Sequence, residues 1–249
     1  MTTTLTIDCG GGGLKASVVD ENDVMLAPAI RVPTPYPLPP DRFLEELAHF
    51  ATQLPAAERI TVGMPGMIRH GIVVTTPHYM TVRGPGSPVD PALRAAWTGL
   101  DMRSLVQRAF GLPALVLNDA EVAGAALVKG EGLELVITLG TGLGNALFDD
   151  GRLAPHLELS QATIRRGRTY DNYIGELQRR RLGSLLWSRR VVQMVYGLRP
   201  VFVWDRLFLG GRNSQLIDAR SLAKLGTSVT IVPNAAGILG GSRAWTLMS

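Results

Sequence analysis

Three groups of residues have types and spacings suited to moving a phosphoryl group. Asp8-Cys9-Gly10-Gly11-Gly12-Gly13-Leu14-Lys15 is a glycine run set between a carboxylate and an ammonium. Leu139-Gly140-Thr141-Gly142-Leu143-Gly144-Asn145-Ala146 is a second glycine-rich stretch about half a chain later. Asn118-Asp119 stands just before it. Tight glycine turns present backbone N–H groups that cradle phosphate oxygens without side-chain bulk. Asp8 can hold a phosphate-bound Mg²⁺, an ion that takes oxygen ligands and keeps several waters. Lys15 can offset phosphate charge, and the Thr141 hydroxyl can donate to a phosphate oxygen. Asp119 can accept the proton of an alcohol as it attacks phosphorus. Asn118 can both donate and accept, which suits sugar hydroxyls.

Other chemistries fit less well. The first run is not a Walker loop, because Leu14 stands where that motif needs glycine and Lys15 is followed by Ala16. The second lacks the Gly-x-Gly-x-x-Gly spacing of a dinucleotide turn, and a strand rather than a helix follows it. His49, His70, His78 and His156 show no metal-like spacing, and Cys9 is the single cysteine, so a zinc site is not expected. Plain structural roles stay open too. The first run can be a glycine hairpin with a buried aspartate, and Asn118 or Asp119 can simply cap a helix.

These groups need elements to position them. Leu5-Thr6-Ile7 and Ala16-Ser17-Val18-Val19-Asp20 read as two strands flanking the first glycines, with a turn at Asn22-Asp23 and a third strand starting at Val24-Met25-Leu26. The proline-rich residues 34–40 read as a loop, after which Asp41 caps a helix with Phe43, Leu44, Leu47 and Phe50 on its apolar face. Arg59 to Gly63 is a short strand ended by Met64-Pro65-Gly66, residues 79–92 a loop, and residues 100–110 a helix. Ala114 to Leu117 is a buried strand, and Asn118-Asp119-Ala120-Glu121 opens a helix. Glu134 to Thr138 leads into the second glycine turn and Asn145 to Phe148 leads out. Residues 170–196 are mostly helical with a break at Gly183. Arg206 to Leu209 enters Gly210-Gly211, Val229 to Val232 is a late strand, and residues 235–247 form a last helix. The second half therefore repeats the plan of the first, and strands alternating with helices indicate an α/β architecture.

The 249 residues are 46% hydrophobic and 18% charged, enough for a sizeable core and against disorder. No run of about 18 apolar residues suggests a membrane span, and the first residues lack a signal-peptide pattern. With one cysteine, this sets a cytoplasmic expectation. The net charge of +4 is carried mostly by arginine. Arg165, Arg166, Arg168, Arg179, Arg180, Arg181, Arg189 and Arg190 crowd one segment. Guanidinium groups suit bidentate phosphate contacts, although a solvated helix face accounts for the cluster equally well.

Taken in order, Asp8-x-Gly10-Gly11-x-x-x-Lys15, Gly63-Met64-Pro65-Gly66, Leu117-Asn118-Asp119-Ala120-Glu121-x-x-Gly124 and Leu139-Gly140-Thr141-Gly142-x-Gly144-x-Ala146 resemble the ROK sugar kinases of the actin and hexokinase superfamily. The length and Phe208-Leu209-Gly210-Gly211 resemble the polyphosphate glucokinase branch. The resemblance implies a two-lobed actin-like ATPase (ribonuclease H-like) fold, each lobe a mixed β-sheet flanked by helices, with a ligand cleft between lobes. One lobe would span residues 1–117 with a helix at about 235–249 returning to it, and the other residues 118–234. It implies Asp119 as catalytic base, and Asn118, Glu158, Gln161 and Gly66 at the sugar. It implies Asp8, Gly10, Gly11, Gly12, Gly13, Lys15, Gly140, Thr141, Gly142, Gly144, Gly210 and Gly211 at the phosphates, with Asp8 at Mg²⁺.

The sequence also departs from the family. Where the family has Glu-x-Gly-His, this chain has Glu158-Leu159-Ser160-Gln161, and residues 162–165 carry no further carboxylate. The family's cysteine-rich zinc site is absent, and Arg212 stands where a third glycine is common. The expected activity is transfer from ATP, inorganic polyphosphate or both to a hexose hydroxyl, the 6-OH of a glucose-like sugar, with polyphosphate running along the arginine segment. The alternative is a sugar or phosphate sensor with weakened turnover. A homodimer is expected. Neither a membrane nor a nucleic-acid partner is, because only Met1 to Leu5 precede the first strand and leave no room for a helix-turn-helix.

Overall fold

The alternating stretch around Leu5 forms β1 (Thr4–Gly10), which turns back through Gly11-Gly12 into β2 (Gly13–Val19). A computed structural model describes residues 1–232 and 236–247 of the chain. β3 (Ile30–Val32) pairs antiparallel with β2. Val24 to Leu26, where the third strand was expected to begin, form a single antiparallel bridge, Met25 opposite Val19, with Leu26 N donating to the Val18 carbonyl at 2.8 Å, and no continuous strand. Asp20 Oδ1 accepts from the Asn22 and Val24 N–H groups at 2.9 and 2.8 Å, which tightens the turn. Val24, Met25 and Leu26 then project into solvent, and regular pairing resumes only at Ile30 opposite Ala16.

α1 (Pro40–Gln53) follows, with Pro39 rather than Asp41 at its N-cap. Asp41 sits within the first turn, where its charge favours the positive helix end without a capping bond. Phe43, Leu47 and Phe50 are its buried face, as the spacing required. β4 (Arg59–Met64) pairs parallel with β1. β5 (Met67–Arg69) and β6 (Ile72–Thr75) form a hairpin, and after α2 (Pro91–Trp97) the short β7 (Leu100–Asp101) adds a third strand beside β6. α3 (Met102–Phe110), capped by Asp101, leads to β8 (Ala114–Asn118) and α4 (Asp119–Ala125). The five-stranded sheet runs β3-β2-β1-β4-β8. Its core includes a ring cluster of Phe43, Tyr79 and Trp97, with centroids 5.5–5.6 Å apart.

The second half builds β9 (Leu133–Leu139), β10 (Leu143–Asp149) and β11 (Arg152–Leu153) as an antiparallel meander. β12 (Thr163–Arg165) and β13 (Arg168–Thr169) make a small exposed hairpin. α5 (Tyr170–Ile174) and α6 (Glu176–Phe202) follow, α6 broken at Gly183 (φ 71°, ψ 165°) as expected. β14 (Arg206–Gly210), α7 (Ala219–Leu225) and β15 (Val229–Ile231) complete the order β11-β10-β9-β14-β15. Trp187, Val191, Met194 and Leu198 of α6 cover one side of the sheet residues Leu135, Ile137, Leu207 and Leu209.

α8 (Ala236–Leu247) is the last element; residues 235, 248 and 249 of the expected helix lie outside the described residues. Thr61 Oγ1 donates to the Gly241 carbonyl at 2.8 Å, and Trp245 Nε1 donates to Thr61 Oγ1 at 2.8 Å. Contacts divide the chain into two compact units, Met1–Ala126 with Gly237–Ser249, and Leu127–Ala236. The sequence reading divides it at 117/118. The contacts keep α4 in the first unit because Gly63 of β4 lies directly beneath Asp119 and Val122. No described helix is long and apolar enough to cross a membrane.

Candidate active site

In the first unit the predicted residues collect at the C-terminal ends of β1, β4 and β8. This is the end of a parallel sheet at which ligands bind. Asp8 pairs with Gly63, and Gly63 with Leu117, so these three residues lie side by side on adjacent strands. One residue past that line come the Met64-Pro65-Gly66 turn and Asn118-Asp119. Burial pushes the Asp8 carboxyl up, opposed by Lys15, its cross-strand partner, and by Arg31. The Asp8 carboxylate also occupies the space beside Gly237 where a Cβ would stand. The Lys15 ammonium is pushed down by burial and raised again by Asp8.

The first glycine turn is held by its carbonyls. Thr34 Oγ1 donates to Gly10 at 2.7 Å and the Tyr36 hydroxyl to Gly11 at 2.9 Å. The His78 ring and Pro85 lie against Gly11, while Gly12 faces open space. Among the described residues, no hydrogen bond uses the Gly11 or Gly12 N–H. Thr34, Tyr36 and His78 carried no local sequence signal, since each reaches the turn from a distant loop.

Asn118 proves to be a positioning group. Its Oδ1 accepts from Ala120 N at 2.8 Å, its Nδ2 donates to the Gly66 carbonyl at 2.8 Å, and Glu121 Oε2 closes a capping box on Asn118 N at 2.9 Å. The side chain is 3% exposed. It thus fixes the start of α4, whose first residue is Asp119, and ties it to Gly66. Gly66 sits at φ +102°, and a Cβ there would fall 2.8 Å from Thr76 Cα, so only glycine fits. Asp119 itself is part-exposed, with Oδ1 accepting from Ala120 N at 3.0 Å. Its charge, like that of Asp8, acts on the buried Cys9 thiol and Tyr79 hydroxyl, both raised chiefly by burial. The two carboxylates therefore serve one neighbourhood.

In the second unit, the Gly140-Thr141-Gly142 turn joins β9 to β10. Asn213 Nδ2 donates to the Gly140 carbonyl at 3.0 Å, and Glu176 N to the Thr141 carbonyl at 3.0 Å. Leu143 N donates to Asp171 Oδ1 at 2.7 Å. Among the described residues, the Thr141 and Gly142 N–H groups take no partner. Gly144 and Gly210 flank Thr138 on the neighbouring strands, and Gly211 packs on the Leu139 backbone. Glu158 and Gln161 lie in the segment after β11, linked through Ser160. Gln161 Nε2 donates to Ser160 Oγ at 3.0 Å, and Ser160 Oγ donates to Glu158 Oε1 at 2.6 Å. His156 Nε2 is 3.7 Å from Glu158 Oε2.

The arginine segment separates into parts. Arg165, Arg166 and Arg168 sit on the exposed β12–β13 hairpin. Arg179 and Arg180 both bond Glu176 at 2.7 Å, with Arg212 3.8 Å away. Arg179 leads in holding the Glu176 carboxyl down at about 2. Arg190 is turned inward onto the Tyr173 ring and carbonyl. Glu176, Asn213 and Asp171 escaped the sequence reading because each contact to the turn spans dozens of residues.

The ROK family profile matches residues 4–155. The polyphosphate glucokinase of Mycobacterium tuberculosis is 24% identical over 251 residues, covering 96% of this chain and 89% of that one. The crystal structure of inorganic polyphosphate/ATP-glucomannokinase from Arthrobacter sp. strain KM superposes with a TM-score of 0.80 at 30% identity, over 99% of this chain and 98% of the other. A ROK family glucokinase from Streptomyces griseus, solved with glucose and AMPPNP, shares the fold with a TM-score of 0.74 at 16% identity, covering 98% of each chain. The motif order, the repeated sheet and these matches lead to one assignment: the chain belongs to the ROK family.

Proposed function

We propose that this protein is a sugar kinase that transfers the terminal phosphoryl group of ATP or inorganic polyphosphate to a hexose hydroxyl, the 6-OH of a glucose-like sugar. The observation that carries the reading is the placement of Asp119. A part-exposed carboxylate is held by a capping box at the same strand ends as a glycine turn whose N–H groups have no described partner. The names of the relatives support the same reaction class.

Asp119 takes the hydroxyl proton as the oxygen attacks phosphorus, and its fixed backbone supplies the orientation. Gly11, Gly12, Thr141 and Gly142 offer N–H groups to donor oxygens. Glu158 and Gln161 are assigned to the sugar, with Ser160 steadying Glu158. Mg²⁺ fits the chemistry of Asp8. Among the described residues no cluster of three or more metal-binding side chains exists, and Mg²⁺ in phosphoryl-transfer sites takes one or two carboxylates with phosphate and water. When bound there, the ion neutralises charge on the transferring group. The β12–β13 arginines and the Arg179–Arg180–Arg212 group suit a long polyanion.

The test is a matrix of hexoses and amino sugars against ATP and polyphosphate, with phosphorylated product measured directly. A glucose-like acceptor should react, and absence of product in every cell overturns the reading. Repeating the assay across salt concentrations assigns the donor site. Use of the arginines by polyphosphate requires a steep fall in its affinity as salt rises.

A further inference from the structure

The turn at Gly140-Thr141-Gly142 has a third anchor that differs in kind from the other two. Asn213 and Glu176 N hold its carbonyls. Asp171 instead takes a donor, the Leu143 N–H where the turn enters β10. Its carboxyl also fills the place of a Gly142 side chain: an ideal Cβ on Gly142 would lie 2.7 Å from Asp171 Cγ. The supporting backbone is hydrogen-bonded at both ends of α5. Thr169 caps α5, accepting from Asn172 N at 3.3 Å, and Gly175 N closes onto the Asp171 carbonyl at 3.0 Å. With Leu143 N bound from beneath, the Thr141 and Gly142 N–H groups remain for a ligand.

We propose that Asp171 is a positioning residue for the phosphoryl donor, pinning the second glycine turn through the Leu143 N–H so that the Thr141 and Gly142 N–H groups stay aimed at phosphate oxygens. This rests on the kinase reading for the identity of the ligand. It does not rest on it for the contact. The role belongs to an acceptor oxygen at this point rather than to a negative charge. A charge here is costly, since burial pushes the Asp171 carboxyl up to about 6, the Leu143 N–H pulling it down and the Glu158 charge adding to the rise. Glu176, the other acid beside the turn, is engaged by Arg179 and Arg180.

Three proteins decide it: wild type, Asp171→Ala and Asp171→Asn. Loss of one buried hydrogen bond corresponds to about a tenfold change. Asp171→Ala should raise the KM for ATP or polyphosphate by about that factor and leave the sugar KM within about twofold. Asp171→Asn keeps an acceptor oxygen and should restore the donor KM. Equal rises in both KM values, or no rescue by asparagine, overturn the proposal. Amide NMR reads the contact without turnover. The Leu143 N–H signal of wild type should titrate with a midpoint near 6, and that of Asp171→Asn should not; an untitrating Leu143 signal in wild type also overturns it. If wild type phosphorylates no sugar, the kinase reading falls. The same variants are then compared by the Kd for ATP and polyphosphate, from Thr141 and Gly142 amide shifts. There, equal affinities across the three proteins, or no binding, reject Asp171.

Discussion

The two glycine hairpins share one frame and place their acids differently. Asp8 of β1 pairs with Gly63 on the parallel side and Lys15 on the antiparallel side. Thr138 of β9 occupies the same lattice point, paired with Gly210 and Gly144. In the first unit the carboxylate is on the strand itself and its countercharge on the facing strand. In the second the strand position is a hydroxyl, and the carboxylate, Asp171, arrives from α5 and binds the turn backbone. The first turn has two residues, the second three. A repeated sheet order thus fixes where backbone donors stand and leaves open how each turn is charged and braced. The first arrangement suits a metal-bearing phosphate, and the second a turn that meets phosphate through hydrogen-bond donors rather than a charged side chain.

That contrast can be broken at several points, the largest first. Asp119→Asn keeps the Ala120 contact and the Asn118 cap, so the fold and sugar affinity should persist while kcat falls by about 10²–10⁴-fold, the usual worth of a general base. Isothermal titration with the sugar beside a turnover assay checks this; an unchanged kcat removes Asp119 from the chemistry.

Next comes the stability of the second unit across pH. Asp171 has its pKa raised from 3.8 to about 6, so the folded state binds the extra proton between those values. Stability from this group is greatest at low pH and is lost as pH rises through about 6. Asp171→Asn should therefore stabilise the protein by at most about 3 kcal/mol at pH 7.5 and have no such effect near pH 4. Glu176, five residues on, is shifted oppositely, from 4.5 down to about 2. Its contribution is present above pH 4.5 and lost as pH falls toward 2. Glu176→Gln should cost about 1–2 kcal/mol at pH 7.5, a figure held down because Arg180 is 69% exposed and screened. Urea midpoints at both pH values test the pair, and matching signs for the two variants would contradict the shifts.

The smaller effects compare the turns directly. Gly142→Ala drives a methyl into Asp171 and should weaken donor binding about tenfold, whereas Gly12→Ala meets nothing within 4 Å and should change stability by less than about 1 kcal/mol. Donor titrations on both variants, with thermal melts, separate them.

Much of this architecture was legible because it is local. Glycines beside alternating apolar residues marked both hairpins, and the apolar run ending in Asn118-Asp119 marked a strand entering a helix. The helix break at Gly183 was visible for the same reason. Val24 to Leu26 read as the start of a strand because their residue types suit one, and they pair only at the Met25 bridge, while the Asp20 side chain that tightens the turn before them acts through hydrogen bonds rather than composition. Asn118 was assigned to the sugar by motif. Its neighbours Gly66 and Glu121 show that it also has a buried positioning role, and only the first of those lies far off in sequence. Asp171 carried no signal, as its partner is 28 residues away. The division after Ala126 was likewise hidden, since it follows from what α4 rests on.

The first unit is discontinuous, and this makes its packing depend on residues far apart in the chain. Thr61 and Arg59 bond Gly241 and Ser242 carbonyls of α8, groups synthesised some 180 residues later. The second unit is one unbroken stretch whose five-stranded sheet pairs only strands of its own. The first unit completes its packing only once α8 is in place, because Gly240 of α8 lies against the Val122 and Ala126 backbone of the helix that begins at Asp119.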